Sequence, residues 1–309
     1  LGGADTYVGA AGATQGLEHP IAIVIDLGGA DTYRYDAVPD AADAGFLPSD
    51  GAGRALPERL GDGPTSLSVR PRQGFGALGF GGVFDFGEGA DTFASLRASQ
   101  GFGLLGVGVV VDDGGTATFA LEAFGQGAGA LGIGLVVLGD APHRLEAVHA
   151  AQGFGDVGGV GLVVGGDGDD VYVAAPGSVD DDSVLYFNAM SPVDRNLSLA
   201  QGAASGRAAG AWASWPAAGG GALVDRGGSD TYVAGVAARG FGRRHGAGLF
   251  HDAAGDDTYT LYDHGAGAGV ALGLGLFVDG QGSDRHTNAD GSATRSAGYG
   301  DDFGAGLFV

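Results

Sequence analysis

The sequence predicts an all-β fold, a right-handed parallel β-solenoid (β-helix) of about nine coils with loop insertions. Two phrases recur along the chain at a spacing of about 26 residues: an Asp/Gly turn that ends in Asp-Thr-Tyr, and Gln-Gly-Phe-Gly. Between these phrases glycine alternates with large apolar residues, which is the period of a β-strand. A repeat of this kind buries its core by stacking on its neighbours.

Each coil is predicted to contain two or three short strands separated by turns. Segments 105–111, 131–137 and 272–278 place large apolar side chains on one face of a strand and glycines on the other. The Asp/Gly phrase then forms a turn, and its Thr-Tyr begins the next strand. Coils hydrogen-bonded at a spacing of about 4.8 Å predict a rod roughly 43 Å long.

The repeat runs through the whole sequence, which predicts a single β-solenoid domain over 1–309. Two stretches interrupt it, at about 36–70 and 176–200, and these are predicted to be loop insertions. Because the sequence opens and closes within a repeat, we expect it to be a fragment of a longer repeat protein.

The composition of the chain restricts the classes of molecule that it is expected to bind. It carries 37 acidic and 15 basic residues, a formal net charge of −22. Nucleic acids and anionic membrane surfaces bind clustered positive charge, so neither is an expected partner. There is no cysteine, which excludes disulfides and thiolate metal sites. No apolar run approaches the roughly 20 residues of a membrane span, so membrane insertion is not expected.

Aspartates stand at both ends of the recurring turn. Calcium takes oxygen ligands from carboxylates and main-chain carbonyls, and an Asp/Gly turn can supply both. Aspartates stacked about 5 Å apart on successive coils also repel one another unless a cation neutralises them. The sequence therefore predicts several Ca²⁺ ions. The predicted carboxylate ligands are Asp26, Asp31, Asp85, Asp91, Asp170, Asp225, Asp230, Asp252, Asp257, Asp279 and Asp284, with Asp5 in the equivalent position of the first repeat.

One copy of the turn matches a known repeat position by position. Residues 165–173 read Gly-Gly-Asp-Gly-Asp-Asp-Val-Tyr-Val, as in the Gly-Gly-x-Gly-x-Asp-x-U-x nonapeptide. The chain thus resembles the RTX (haemolysin-type) calcium-binding repeat family, with a longer repeat of about 26 residues. The resemblance implies a side-chain ligand at Asp170 and carbonyl ligands at Gly165 and Gly168.

A metal-free interpretation of the same turns stays open. Asp and Gly favour tight turns in any case, because the Asp side chain caps main-chain N–H groups. The motif also lapses at Ala117 and near Pro142, which predicts that not every turn holds an ion.

Three further columns of residues follow from the repeat. The Thr that precedes each aromatic residue is expected to face solvent. The glutamines are expected to form an amide ladder, each bonding the next: Gln15, Gln73, Gln100, Gln126, Gln152 and Gln201. The aromatic residues are expected to stack in the core: Tyr33, Phe93, Phe119, Tyr172, Tyr232 and Tyr259.

A basic cluster offers the one set of candidate catalytic residues. The glutamine column continues as Arg239 and His264, near Arg243 and His245. An Arg that neutralises a uronate carboxylate beside a base is what a polysaccharide lyase or hydrolase needs. His264 is equally well explained as a substitute in the ladder, so enzymatic activity stays open and is not favoured.

These patterns favour a calcium-binding structural or adhesive β-solenoid of a secreted or cell-surface protein. Its expected partners are calcium ions and an extracellular polysaccharide or another surface protein. One alternative is a carbohydrate-active parallel β-helix, which needs a groove with two convergent carboxylates beside Arg. A further alternative is an ice- or surface-binding solenoid, which needs a flat face of paired Thr columns.

Overall fold

The computed structural model describes residues 2–14, 16–38, 46–55, 65–174, 197–207, 217–288 and 297–309. In these ranges no helix is long and apolar enough to cross a membrane. The strands, numbered in chain order, are β1 (Thr6–Val8), β2 (Ile21–Asp26), β3 (Thr32–Arg34), β4 (Arg54–Ala55), β5 (Thr65–Ser66), β6 (Gly76–Ala77), β7 (Phe80–Asp85), β8 (Ala90–Arg97), β9 (Gly103–Leu104), β10 (Val107–Asp112), β11 (Thr116–Ala123), β12 (Gly129–Ala130), β13 (Ile133–Leu138), β14 (His143–His149), β15 (Val160–Val164), β16 (Val171–Ala174), β17 (Leu197–Ala200), β18 (Ala204–Ser205), β19 (Gly220–Asp225), β20 (Thr231–Ala238), β21 (Gly242–Arg243), β22 (Ala247–Asp252), β23 (Thr258–Gly265), β24 (Gly269–Val270), β25 (Leu274–Asp279), β26 (Arg285–Asn288), β27 (Gly300–Asp301) and β28 (Ala305–Phe308).

Two long parallel sheets form the main walls of the molecule. Sheet A has the order β1-β3-β8-β11-β14-β16-β20-β23-β26, and β17 pairs with β20. Sheet B has nine strands in the order β2-β7-β10-β13-β15-β19-β22-β25-β28. The chain passes from a strand of sheet B to one of sheet A and returns one coil further along. This confirms the all-β parallel solenoid of about nine coils.

A narrow third wall, sheet C, closes each coil. It consists of the two-residue strands β6, β9 and β12 and, further along, β18, β21, β24 and β27. Gly155 links the two groups by single parallel bridges to Gly129 and Ala204. A complete coil therefore contains three strands.

The two predicted insertions are described only in part. Within 36–70, the described residues include the antiparallel pair β4–β5 and Asp50, which makes a buried ion pair of 2.5 Å with Arg72. Most of 176–200 lies outside the described residues, as does Gln15 of the predicted glutamine column. Residues 197–200 form β17, so the end of this predicted loop belongs to the solenoid wall.

The predicted aromatic column lies in the core. All six rings are completely buried, and Tyr33, Phe93 and Phe119 stack with centroids 4.4 and 4.3 Å apart. Leu145 occupies the position between Phe119 and Tyr172. The threonines face outward as predicted. Constant repeat length keeps these residues in register from coil to coil.

Most strands of sheet B direct a glycine inward, followed two residues later by a buried apolar side chain such as Val110 or Val136. The turn that follows sheet A passes directly behind these strands. A Cβ at Gly108 would lie 2.2 Å from the carbonyl oxygen of Phe102, and one at Gly134 would lie 1.8 Å from that of Ala128. Only glycine permits this approach.

The predicted amide ladder is wrong. Gln100 Nε2 donates to the main-chain carbonyls of Phe93 and Ala120, both at 3.1 Å, and so joins two coils of sheet A. Buried carbonyls need donors, and these carbonyls take the amide hydrogens that a ladder would use. The same arrangement recurs at Gln73, Gln126, Gln152 and Gln201.

Candidate metal centre

Two columns of aspartate line the inside of the turn between sheet B and sheet A. The first column ends the strands of sheet B and contains Asp26, Asp85, Asp112, Asp225, Asp252 and Asp279. The second column precedes the strands of sheet A and contains Asp5, Asp31, Asp91, Asp170, Asp230, Asp257 and Asp284. Parallel pairing in register brings the carboxylates of successive coils together.

Four groups of three carboxylates converge in these columns. In each group, three oxygens lie within 4.8 Å of one another. Every group combines both columns and spans two coils. All the predicted carboxylate ligands except Asp170 belong to one of them. The groups are Asp5, Asp26 and Asp31; Asp31, Asp85 and Asp91; Asp225, Asp230 and Asp252; and Asp257, Asp279 and Asp284.

The carboxylates of the third group are withdrawn from water, since Asp225, Asp230 and Asp252 are at most 1% exposed. Burial disfavours their charged form, and neighbouring carboxylates add repulsion. Burial, and to a smaller extent the charge of Asp170, raises the pKa of Asp225 to about 8. Burial, and to a smaller extent the charge of Asp225, raises the pKa of Asp230 to about 9.

The same effects act in the other groups. Burial, followed by the charges of nearby aspartates, raises the pKa of Asp91 and of Asp257 to about 7, and that of Asp279 to about 6. Asp26 differs. Burial raises its pKa too, but hydrogen bonds from the Tyr7 hydroxyl and the Gly28 N–H outweigh burial and bring the pKa below its ordinary value.

A main-chain N–H group occupies one oxygen of every second-column carboxylate in these groups except Asp5. Asp31 Oδ1 accepts the main-chain N–H of Asp5 at 2.6 Å, and Asp91 Oδ1 accepts that of Asp31 at 2.6 Å. Asp230, Asp257 and Asp284 repeat the pattern. This main-chain capping is the role that the metal-free interpretation assigns to the aspartates.

Tyrosine hydroxyls donate to the first column, and the sequence analysis missed this role. Tyr33 donates to Asp85 Oδ2 at 2.8 Å, and Tyr172 donates to Asp225 Oδ2 at 2.8 Å. Burial raises the pKa of these tyrosines well above the ordinary value, so they remain donors. The sequence does contain a signal for this role. The aromatic residue is tyrosine on most coils that are followed by a first-column aspartate, whereas it is Phe119 on the coil that is followed by Leu138.

Several buried oxygens in the groups have no hydrogen-bond partner among the described residues. They are present in every group: Asp31 Oδ2, shared by the first and second groups, Asp91 Oδ2 in the second, Asp252 Oδ1 in the third and Asp279 Oδ1 in the fourth. A buried acceptor without a donor costs about 1–3 kcal/mol, so these oxygens are available to a cation. The donor set of each group consists of oxygen alone, which suits Ca²⁺ or Mg²⁺ rather than Zn²⁺ or Cu²⁺.

The columns are interrupted in the middle of the molecule. Ala117 replaces the second-column aspartate, and Leu138 replaces that of the first. His143 fills the gap, with Nε2 3.2 Å from Asp112 Oδ1 and Nδ1 3.5 Å from Asp170 Oδ1. Burial lowers the pKa of His143, but the two carboxylates outweigh burial and raise it to about 9. The chain therefore supplies its own cation at the coil that lacks a carboxylate group.

The turn that best matches the RTX nonapeptide lies beside this interruption, outside the four groups. Gly165 takes the place of a first-column aspartate, and its carbonyl accepts Arg226 Nε at 3.2 Å. Asp170 Oδ1 accepts the main-chain N–H of His143 at 2.7 Å. The ligand roles of Gly165, Gly168 and Asp170 stay predictions.

The candidate catalytic residues lie in two different environments. Arg239 is 2% exposed and donates to the main-chain carbonyls of Tyr232 and Thr260, so it substitutes for glutamine in its column. Burial lowers the pKa of Arg239 to about 9. His264 is also buried and lies 3.0 Å from a carboxylate oxygen of Asp263.

Arg243 ends β21 and His245 lies in the turn that follows this strand, and both residues are partly buried. Arg243 Nε donates to Ser205 Oγ at 3.1 Å, and burial lowers the pKa of Arg243 to about 10. Arg239 and His264 therefore belong to the interior and do not join them in a surface site.

Comparison of the chain with protein-family models, curated proteins and solved structures finds no match. Any proposal about its function therefore depends on the chemistry of the aspartate groups.

Proposed function

We propose that the protein is a calcium-binding β-solenoid, in which Ca²⁺ ions held between coils stabilise a structural or adhesive rod outside the cell or at its surface. The observation that carries this proposal is the set of four aspartate groups. Each brings three carboxylate oxygens within 4.8 Å of one another and retains a buried oxygen that has no hydrogen-bond partner in the described part of the chain.

The ligand chemistry favours calcium among divalent cations. Ca²⁺ accepts six to eight oxygens in irregular geometry, whereas Mg²⁺ requires a near-ideal octahedron and keeps much of its water. Three carboxylates on a Gly-rich turn, with main-chain carbonyls and water completing the shell, suit the larger ion. Millimolar extracellular calcium would fill even weak sites and stabilise the folded rod by mass action.

The charge of the interior also supports a bound cation. Without one, buried aspartates avoid repulsion only by taking up protons, as the raised pKa values of Asp225 and Asp230 indicate. At the interrupted coil, His143 places a positive charge between Asp112 and Asp170. The space between carboxylates of the two columns thus accommodates a positive charge at this coil.

No comparable observation favours the two alternatives. A carbohydrate-active β-helix would use Arg239 and His264, which are buried in the interior. An ice-binding face would need an unbroken Thr column, but Arg144 and Val171 interrupt it on sheet A.

The proposal is tested by counting bound metal and measuring thermal unfolding with Ca²⁺, with Mg²⁺ and with EGTA. We expect up to one ion per aspartate group and a rise in Tm that is larger for Ca²⁺ than for Mg²⁺. Asp225→Asn should remove the ion of the third group. Its control, Asp113→Asn, changes an exposed aspartate outside the groups and should leave the count unchanged. Absence of bound calcium and of any shift in Tm would show that the aspartates act as turn caps.

A further inference from the structure

The outer face of sheet B is a continuous apolar surface, which we call the apolar face. Each strand of the sheet presents alternate residues outward, and apolar side chains occupy most of these positions. The face consists of Ile21, Ile23, Ile25, Phe80, Phe84, Val107, Val109, Val111, Ile133, Leu135, Val137, Val160, Leu162, Val164, Ala222, Val224, Ala247, Leu249, His251, Leu274, Leu276, Val278, Ala305 and Leu307.

Within the described part of the chain, residues of the apolar face are exposed at both ends and in the middle of the rod, although Val109 is only 7% exposed. Ile21 is 70% exposed at one end, Val160 48% in the middle and Leu274 52% towards the other end. None of the residues that form it is Asp, Glu, Lys or Arg. A contiguous exposed apolar surface larger than a few hundred Å² is uncommon on a monomer and marks an interaction site.

We propose that the apolar face packs against the same face of a second copy of this chain, so that two rods form a β-sandwich dimer. Nine strands about 4.8 Å apart, each about five residues long, give roughly 700 Å² per copy and about 1,400 Å² in total, within the range of specific interfaces. Two sheets that face each other in this way pack about 10 Å apart with interdigitating side chains.

The identity of the two faces favours a second copy as the occupant. Both present rows of side chains at the same coil spacing, so ridges on one face meet grooves on the other along the whole rod. An anionic lipid surface is disfavoured because the chain carries a net charge of −22. The same charge keeps two copies apart at low ionic strength, so salt should strengthen the dimer.

Sedimentation velocity at micromolar concentrations in calcium buffer tests the proposal. Leu162 lies at the middle of β15, the fifth strand of nine, so any two-fold axis that superposes the faces brings the two copies of Leu162 together. We expect a dimer for the unchanged chain and its loss for Leu162→Glu. The matched control, Val173→Glu, changes an outward residue of sheet A in the same coil and should remain dimeric.

A second variant keeps the test independent of any folding defect caused by a glutamate. The chain contains no cysteine, so Leu162→Cys introduces a unique thiol with an apolar side chain of similar character. A short bis-maleimide that spans about 10 Å should cross-link Leu162→Cys into a covalent dimer and leave Val173→Cys monomeric.

The proposal is overturned if the unchanged chain is monomeric and Leu162→Cys does not cross-link. Flotation of such a monomer with phosphatidylcholine vesicles, abolished by Leu162→Glu, would assign the face to lipid instead.

Discussion

At the scale of single residues, the identity of the core aromatic side chain follows the carboxylate it faces. Tyr33 donates to Asp85, and Tyr172 donates to Asp225, each from one coil to the next. Phe93 has no hydroxyl, and Asp112 on the following coil takes its donor from His143. The ring supplies stacking at every aromatic position of the column, whereas the hydroxyl is present where a carboxylate on the next coil accepts its hydrogen bond.

The hydroxyl of Tyr33 offers a direct measurement of this pairing. Tyr33→Phe preserves the stacked ring, as Phe93 shows on the next coil, but removes a buried hydrogen bond to a carboxylate. We expect a loss of about 1.5–3 kcal/mol in the free energy of unfolding, measured by urea denaturation in EGTA. The reciprocal variant Phe93→Tyr adds a donor on the coil before Asp112, whose Oδ2 lacks a partner, and should not destabilise the protein. Equal losses in both variants would contradict the pairing.

At the scale of one element, the width of the coil depends on inward glycines of sheet B. Gly134→Ala would place a Cβ 1.8 Å from the Ala128 carbonyl oxygen, so the main chain must move. We expect this substitution to destabilise the protein by about 3 kcal/mol. Its control, Gly220→Ala, meets nothing closer than Val160 Cγ2 at 3.9 Å and should be nearly neutral. Thermal unfolding of the two variants side by side checks this difference.

A second prediction at this scale concerns the coil that carries its own cation. His143→Gln leaves Asp112 and Asp170 buried without a positive partner, which should cost about 3 kcal/mol. The number of bound calcium ions should not change, because neither carboxylate belongs to the four groups. His19→Gln, at an exposed histidine, is the control. A variant as stable as the unchanged chain would show that the imidazolium contributes nothing.

At the scale of the whole molecule, the aspartate groups make stability depend on pH. The pKa values of Asp91, Asp225, Asp230 and Asp257 lie at about 7, 8, 9 and 7 in the folded chain, above the ordinary aspartate value. The folded protein therefore binds more protons than the unfolded chain between about pH 4 and pH 9, and stability falls as pH rises through this window.

We expect the Tm in EGTA to decrease from pH 5 to pH 9, because each raised pKa favours the folded state only while the carboxyl is protonated. His143, whose pKa is also raised, acts in the same direction. Calcium competes with protons for the same oxygens, so the gain in Tm from Ca²⁺ should grow with pH. A Tm in EGTA that rises across this range would contradict the raised pKa values.

The sequence by itself determined the architecture and the columns. Strand alternation and a nearly constant repeat length predict parallel coils in register, and register alone stacks Phe93 on Phe119 and brings Asp5 near Asp31. These features depend only on spacing along the chain, which is why ten of the eleven predicted carboxylates are found in groups of three.

The tertiary structure decided what depends on distances between segments far apart in sequence. It leaves Asp170 outside the groups: Gly165 takes the first-column position on its own coil, and Asp170 Oδ1 lies 3.5 Å from His143 Nδ1 on the neighbouring coil. Gln100 has a left-handed backbone, and its side-chain amide lies close to main-chain carbonyls. It therefore donates to these carbonyls instead of forming the amide ladder. The sequence also does not determine which face of sheet B points outward. Alternation along a strand separates its residues into two faces but does not show which of them is packed against the core. Only the turn packed behind Gly134 directs the glycines inward and exposes the apolar face.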